Sequence, residues 1–253
     1  MRRSLPAALC AALLPLLLVA APKPAQVDTA RLLNADREPG QWLTVGRTYD
    51  EQRYSPLTRI NTGNVDQLGL AWHYDLDTNR GQEASPIVID GVLYVTSAWS
   101  KLFAFNAKTG RLLWKYDPQV PGSIGIKGCC DVVNRGVAAW KGRIYLGAYD
   151  GRLIALDAKT GKVAWSVQTT DPAKAYTITG APRIANGKVI IGNAGSEIGV
   201  RGYVSAYDAA DGRLLWRFHT IPGDPAQPYE NEQMRAAAAT WTGDLYWKLG
   251  GAT

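Results

Sequence analysis

One stretch of the sequence occurs three times and decides the fold: Phe105-Asn-Ala-Lys-Thr-Gly-Arg-Leu-Leu-Trp114, Leu156-Asp-Ala-Lys-Thr-Gly-Lys-Val-Ala-Trp165 and Tyr207-Asp-Ala-Ala-Asp-Gly-Arg-Leu-Leu-Trp216. Each copy follows a short apolar segment that begins with glycine, namely Gly91-Val-Leu-Tyr-Val, Gly142-Arg-Ile-Tyr-Leu or Gly187-Lys-Val-Ile-Ile. The closing tryptophans are 51 residues apart in both intervals. A period of this length indicates an architecture built from repeated structural units.

Each repeat predicts four short strands, because apolar and polar residues alternate along its segments. In the second repeat we expect a two-residue hairpin turn of type I′ at Asp150-Gly151. The four strands predicted there are Arg135–Ala139, Arg143–Ala148, Arg152–Leu156 and Lys162–Gln168. Four-stranded units of about 40–50 residues in series predict an all-β fold, a β-propeller. The tryptophan at a fixed phase is then a packing residue between neighbouring blades.

The sequence does not supply a full ring of blades, since propellers close with about 4–8 of them. Trp72 resembles the closing tryptophan of an earlier unit, and its segment predicts the final strand of that unit. The segment that follows Trp216 predicts a loop up to Thr253. We therefore expect about three and a half blades, the N-terminal part of a propeller that is incomplete at its C-terminal end.

Residues 1–25 predict a secretory signal peptide, which leaves residues 26–253 as the propeller domain. Arg2 and Arg3 precede an apolar run from Leu5 to Ala21, and small residues follow. A transmembrane anchor is the alternative, but the run is shorter than the ~20 apolar residues of a membrane span and holds two prolines. We expect export to the periplasm.

The composition excludes some classes of function. The chain has 28 Lys and Arg against 22 Asp and Glu, a formal charge of +6, without a basic stripe that would indicate nucleic acid binding. Hydrophobic residues make up 46% of it, so the chain is not a disordered tail. Once the leader is removed, the remaining cysteines are the adjacent Cys129 and Cys130. In an exported protein we expect them to form a disulfide, whereas two unpaired buried thiols would be the commoner outcome in a cytosolic protein.

Several polar residues fall at comparable positions of successive blades, at or beside the start of the innermost strand. Glu83, Arg135 and Thr179 are such residues, and a loop with three glycines replaces a tight turn in the third repeat and carries Glu197. These positions converge on the central channel of a propeller. A guanidinium can bind a carboxylate through two hydrogen bonds, and a carboxylate can bind Ca²⁺. We expect an anionic planar ligand beside a hard cation, although Glu197 alone would more simply be a solvated loop charge.

Three motifs resemble those of the pyrroloquinoline quinone (PQQ) dependent alcohol dehydrogenases: Gly128-Cys-Cys-Asp-Val-Val-Asn-Arg-Gly136, Thr177-Ile-Thr-Gly-Ala-Pro182 and Glu197-Ile-Gly-Val-Arg-Gly202. The resemblance runs from about Trp42 to the last residue and is greatest to the quinohaemoprotein members, which add a C-terminal cytochrome c domain. It implies an eight-bladed propeller with PQQ on its axis. It also implies periplasmic oxidation of an alcohol to an aldehyde by hydride transfer to the quinone, with a cytochrome or a quinone as electron acceptor.

The resemblance also assigns roles to individual residues. The disulfide Cys129–Cys130 would lie against one face of the quinone, and Glu197 would ligate Ca²⁺. The remaining PQQ contacts that it implies are Glu83, Arg135, Thr179, Gly195, Ser196 and Thr253. No catalytic residue is assigned, because the tryptophan on the other face of PQQ, the remaining Ca²⁺ ligands and the catalytic aspartate of the family would lie beyond Thr253, as would any haem c. We therefore expect this chain alone to bind PQQ weakly and not to oxidise alcohols.

Two alternatives account for part of these features. A non-enzymatic propeller scaffold of the outer-membrane assembly type would explain the repeats and the export signal. It would not explain the adjacent cysteines, Arg135 or the loop that carries Glu197. A PQQ enzyme for a sugar is the other, but the membrane-bound glucose type would carry N-terminal spans that this sequence does not show.

Overall fold

Three antiparallel sheets of four strands, one for each sequence repeat, form the fold in the computed structural model, which describes residues 24–243 and 246–250. The strands of each sheet pair in sequence order, so each sheet is a four-stranded meander, here called blades 1 to 3. Blade 1 contains β1 Ile87–Ile89, β2 Val92–Thr96, β3 Leu102–Asn106 and β4 Leu112–Tyr116; blade 2 contains β5 Val137–Trp140, β6 Arg143–Gly147, β7 Arg152–Asp157 and β8 Val163–Gln168; blade 3 contains β9 Arg183–Ala185, β10 Lys188–Gly192, β11 Tyr203–Asp208 and β12 Leu214–His219. The all-β prediction and its four-stranded units are confirmed.

The burial of blade 2 explains why the sequence of its strands is so apolar. Blade 2 lies between the other two blades, and Leu153, Ile154, Ala155 and Leu156 on β7 are all 0% exposed. A strand that is buried on both faces needs a continuous apolar run, whereas the outermost strand β8 alternates between half-buried and exposed residues. The inner strand β5 contacts both β2 of blade 1 and β9 of blade 3. The inner strands therefore come together and bring the loops before them to one place.

The type I′ turns lie elsewhere than the sequence predicted. Both central residues have positive φ in the turns Asp90-Gly91, Lys141-Gly142 and Asn186-Gly187, which join the first strand of each blade to the second. The prediction of such a turn at Asp150-Gly151 is wrong. Only Gly151 has positive φ there, and the connection between β6 and β7 is four residues long. A dipeptide that suits a turn does not set the length of the loop that contains it.

The repeated tryptophans join each blade to the next one. The indole N–H groups of Trp72, Trp114 and Trp165 donate to the backbone oxygens of Ala107, Ala158 and Ala209, at 3.1, 3.1 and 3.3 Å. The acceptors all lie in the Asn/Asp-Ala turn of the following unit. The rings also cover the glycine of that turn, which has positive φ in all three copies: Gly110, Gly161 and Gly212. The predicted role of the tryptophans as packing residues between blades is confirmed.

Two predictions about the ends of the propeller are wrong. The segment around Trp72 is not a strand, since no described residue pairs with it in a ladder; it is an extended segment whose Trp72 and Tyr74 pack on Phe105. The segment after β12 contains two helices rather than a loop alone, α2 Glu232–Ala238 and α3 Tyr246–Leu249. Helix α2 forms because Asn231 caps it, accepting a hydrogen bond from the backbone of Met234 at 2.9 Å, and because alanine favours a helix.

The N-terminal residues of the described range belong to the propeller body. Ala25 is fully buried, its N–H donates to Asp90 at 3.1 Å, and its carbonyl accepts from Gly142 at 2.8 Å. A short helix, α1 Thr29–Leu33, follows. The predicted signal peptide lies outside the described residues as far as residue 23. None of the helices in the described ranges has the length and apolar character that a membrane span requires.

Candidate cofactor-binding site

A cavity of about 550 Å³ opens where the inner strands of blades 2 and 3 begin. Its wall comes from three stretches: the loop before β5, the loop before β9, and β10 with the glycine loop after it. Six of the residues singled out from the sequence line it or flank it directly, and these are Cys129, Cys130, Arg135, Thr179, Ser196 and Glu197. The structure therefore brings together the positions that the repeat pattern placed at one end of successive blades.

Arg135 is the centre of the polar side of the site. Its guanidinium donates to the hydroxyl of Thr179 at 2.7 Å and forms an ion pair with Glu83 at 2.7 Å. The backbone joins the same segments, since the N–H of Arg135 donates to the carbonyl of Thr179 at 2.9 Å and its carbonyl accepts from Ser85 at 3.3 Å. The side chain of Arg135 remains 46% exposed, so its unpaired N–H groups are open to a ligand. One residue from each blade thus contributes to a single polar cluster.

Asn134 holds the base of this cluster, and the sequence did not point to it. It is 1% exposed, its amide donates to the carbonyl of Gly147 at 2.8 Å, and its carbonyl oxygen accepts from Gly136 at 3.0 Å. The amide thus joins the backbone next to Arg135, at Gly136, to the end of β6, at Gly147. No local pattern marks this residue, because its burial and its contact with Gly147 depend on a neighbouring strand.

Cys129 and Cys130 are joined by a disulfide, with their Cα atoms 3.8 Å apart, as predicted. Both side chains are exposed at the cavity. The loop that carries them packs closely on the protein, since a Cβ at Gly128 would lie 2.0 Å from the hydroxyl of the buried Tyr149. The next residue, Asp131, accepts from the backbone of Val132 at 2.8 Å, which with its ion pair to Arg80 lowers the pKa of this carboxyl. The disulfide is therefore presented on a fixed loop at the edge of the cavity.

The glycine loop of blade 3 presents the predicted metal ligand. Gly195 has a φ of 113°, and a Cβ there would lie 2.4 Å from the carbonyl oxygen of Ala175, so only glycine fits this position. Ser196 follows and donates to the carboxylate of Glu197 at 3.2 Å. In the part of the chain that the structure describes, no cluster of three or more His, Cys, Asp or Glu residues could hold a metal ion. Glu197 therefore offers one carboxylate rather than a complete metal site.

The two remaining residues to be placed are Thr177, which the structure describes, and Thr253, which it does not. Thr177 lines the cavity and is fully buried, and its hydroxyl oxygen has no hydrogen-bond partner among the described residues. In the sequence it is visible only as one member of the motif Thr177–Pro182, so the residue pattern did not single it out as a site candidate. Thr253, the remaining predicted PQQ contact, lies outside the described residues.

Comparison with known proteins now identifies the class. The model of the PQQ glucose/ethanol/alcohol dehydrogenase β-propeller domain matches residues 42–245. The chain belongs to this family, as the resemblance of its motifs implied. Family membership favours the dehydrogenase interpretation over the scaffold alternative.

Individual relatives make the similarity more specific. The chain is 59% identical over 234 residues to the quinohemoprotein alcohol dehydrogenase ADH-IIG of Pseudomonas putida, covering 92% of this chain and 33% of the relative. It is 53% identical over 240 residues to the dehydrogenase subunit of the alcohol dehydrogenase (quinone) of Gluconobacter oxydans, covering 90% and 32%. The crystal structure of the quinohemoprotein alcohol dehydrogenase of Comamonas testosteroni superposes with a TM-score of 0.86 at 53% identity, covering 90% and 34%. The chain spans about a third of the length of the curated relatives it matches.

Proposed function

We propose that this chain is the PQQ-binding part of an exported alcohol dehydrogenase, in which an alcohol is oxidised to an aldehyde by hydride transfer to the quinone. The observation that carries the proposal is the cluster in which Arg135 joins Glu83 and Thr179 from three successive blades, at a cavity that a disulfide also lines. A cationic group held at a fixed position beside a flat, uncharged surface suits an anionic planar ligand.

The residues present fit PQQ, a planar molecule with three carboxylates. Arg135 would bind a carboxylate, and it is pre-oriented because Glu83 and Thr179 already hold its guanidinium. Thr179 would add a hydroxyl at the same edge, and Gly195 and Ser196 would let the backbone come close. The Cys129–Cys130 disulfide would cover one face of the ring system and keep water from it. Together these residues bind and orient the ligand, while the cofactor supplies the redox chemistry when it is bound.

Glu197 would ligate Ca²⁺ next to the quinone. Ca²⁺ takes oxygen ligands, and the carboxylate of Glu197 lines the same cavity as Arg135. The ion would act as a Lewis acid on a quinone carbonyl oxygen and so favour acceptance of the hydride. Because one carboxylate does not make a Ca²⁺ site, the remaining ligands would come from the cofactor and from other parts of a longer protein.

The compartment and the electron acceptor follow from the same proposal. A disulfide between exposed cysteines persists in an oxidising compartment, which agrees with the signal peptide proposed for residues 1–25 and with a periplasmic location. The electrons would pass to a cytochrome or a quinone, and the name of the Gluconobacter oxydans relative includes a quinone. A haem c would belong to a domain outside this chain.

The test is a calorimetric titration of the purified chain with PQQ in excess Ca²⁺. We expect saturable binding that Arg135→Ala weakens about tenfold, as the loss of a charge-assisted bidentate contact implies. Arg213→Ala is the matched control, because Arg213 is 65% exposed and neither it nor its ion-pair partner Asp208 lines the cavity. No binding to the wild-type chain, or equal losses in both variants, would overturn the proposal.

Activity is tested separately from binding. With ethanol, PQQ, Ca²⁺ and an artificial electron-accepting dye, we expect the chain of residues 1–253 not to reduce the dye, because the catalytic aspartate of the family would have to come from elsewhere. Dye reduction by this chain would show that the base lies within it.

A further inference from the structure

The segment after β12 folds back over the glycine loop that carries Glu197. A Cβ at Gly199 would lie 3.2 Å from the carbonyl oxygen of Lys248, and a Cβ at Gly250 would lie 2.3 Å from that of Ser196. Helix α3 contacts the short 3₁₀ turn Ser196–Ile198. The loop is therefore covered by a segment that is distant from it in sequence.

One side chain of the loop makes a second contact with the segment after β12. The guanidinium of Arg201 donates to the carbonyl of Ile221 at 2.8 Å and to both carboxylate oxygens of Glu230, one of them at 3.1 Å. The backbone carbonyl of Arg201 accepts from the hydroxyl of Tyr176 at 3.0 Å. A bidentate pair of this kind fixes the planes of both groups as well as their separation.

The loop needs such an anchor because its own sequence does not fix it. Gly195 and Gly199 have positive φ, and glycine loses more conformational freedom on ordering than any other residue. Inside the loop, the N–H of Ile198 donates to the carbonyl of Gly195 at 3.0 Å, but the next bond to that oxygen, from Val200, is long, at 3.4 Å, so the C-terminal part of the loop is held less well from within. Arg201 lies four residues after Glu197, so fixing Arg201 restricts the positions that the carboxylate of Glu197 can take.

The surroundings of Glu230 keep it charged. The hydrogen bond from Arg201 is the main cause that lowers the pKa of Glu230 to about 2. His219 approaches the same carboxylate at 3.5 Å, and burial lowers its pKa below the usual value, so this histidine is neutral near pH 7. Arg201 is therefore the cation that Glu230 pairs with at neutral pH.

We propose that Glu230 is a positioning residue: by holding Arg201 it fixes the glycine loop in the conformation that presents Ser196 and Glu197 to the cavity. The inference about the loop conformation stands on the contacts above. Its meaning for metal binding rests on the proposed function, in which Glu197 ligates Ca²⁺.

Hydrogen exchange followed by mass spectrometry tests the inference on the full chain. In Glu230→Gln we expect the amides of residues 196–202 to exchange roughly fivefold to tenfold faster, while those of β2 in blade 1 keep their rate. Glu230→Asp should restore part of the protection. Glu232→Gln is the matched control, since its carboxylate is 79% exposed and pairs with Arg235 at 3.6 Å. Unchanged exchange of the loop in Glu230→Gln, or an equal increase in β2, would overturn the inference.

A second readout separates this inference from the proposed function. In PQQ titrations at increasing Ca²⁺, Glu230→Gln should raise the Ca²⁺ concentration for half-maximal PQQ binding, whereas Glu232→Gln should not. If PQQ binding to the wild-type chain does not depend on Ca²⁺, the proposed metal role of Glu197 fails. The exchange rates of the loop still decide whether Glu230 holds it.

Discussion

The contact between Trp114 and Gly161 offers the sharpest test of how the blades are joined. Gly161 has a φ of 70°, and a Cβ at this position would lie 2.6 Å from the Trp114 ring. Gly161→Ala therefore introduces two defects, a left-handed backbone on a residue with a side chain and a collision with the indole. Gly91→Ala introduces the first defect alone, because Gly91 has a φ of 78° and a Cβ there would have no atom within 4 Å.

The expected loss in the free energy of unfolding can be worked out from these two defects. A left-handed conformation costs a non-glycine residue about 1–2 kcal/mol, which is the whole cost expected for Gly91→Ala. At Gly161 the ring must also move, at about 1–3 kcal/mol for overpacking, and its 3.1 Å hydrogen bond to Ala158 is lost or weakened, at about 1 kcal/mol. The total for Gly161→Ala is about 3–6 kcal/mol.

Urea unfolding followed by tryptophan fluorescence measures both variants against the wild-type chain. We expect the free energy of unfolding to fall by about 2–4 kcal/mol more for Gly161→Ala than for Gly91→Ala. Equal losses in the two variants would mean that the indole can move without cost, and the tryptophan would not then be what joins the blades.

Three other predictions concern the site and its surroundings. Reducing Cys129–Cys130 should leave the free energy of unfolding nearly unchanged, because a bridge between adjacent residues closes almost no loop, but it should weaken PQQ binding in calorimetry. Asn134→Ala should destabilise the chain by about 2–4 kcal/mol in urea unfolding, since it removes the partners of buried backbone groups. The wild-type free energy of unfolding should decrease as the pH falls from about 4.5 towards 2, because the unfolded chain takes up the Glu230 proton near the ordinary pKa of 4.5 and the folded chain only near 2. Glu230→Gln should show a smaller decrease in that window, and an identical pH profile would contradict the assignment.

The parts of the fold that follow from local pattern could be predicted from the sequence. The turn that ends in Gly161 and the tryptophan that follows it repeat with a constant period, so the blades and their junctions can be inferred from one copy. Arg135 and Thr179 could be placed at one site because equivalent positions of neighbouring blades converge. Their mutual hydrogen bond is a consequence of that convergence.

Other features of the fold and the site depend on contacts between distant residues, which no local sequence pattern indicates. The pairing of Arg201 with Glu230 joins residues 29 apart, and Glu230 lies in a segment for which the sequence predicted only a loop. The segment of Trp72 alternates like a strand, but a strand needs a hydrogen-bonded neighbour, and none of the described residues provides one. The burial of Asn134 is likewise a property of the assembled blades rather than of its neighbours in sequence.

We propose that PQQ lies in this cavity against the Cys129–Cys130 disulfide. The most direct test is the rate at which a phosphine reduces that disulfide, followed by labelling of the thiols, with and without saturating PQQ and Ca²⁺. Both cysteines are exposed at the cavity. We therefore expect the disulfide to be reduced readily without PQQ and to be markedly protected when PQQ is bound. At a PQQ concentration near the wild-type Kd, Arg135→Ala should lose most of that protection, because its binding is about tenfold weaker. An unchanged reduction rate in the presence of bound PQQ would contradict the account, because it would place the ligand away from the disulfide.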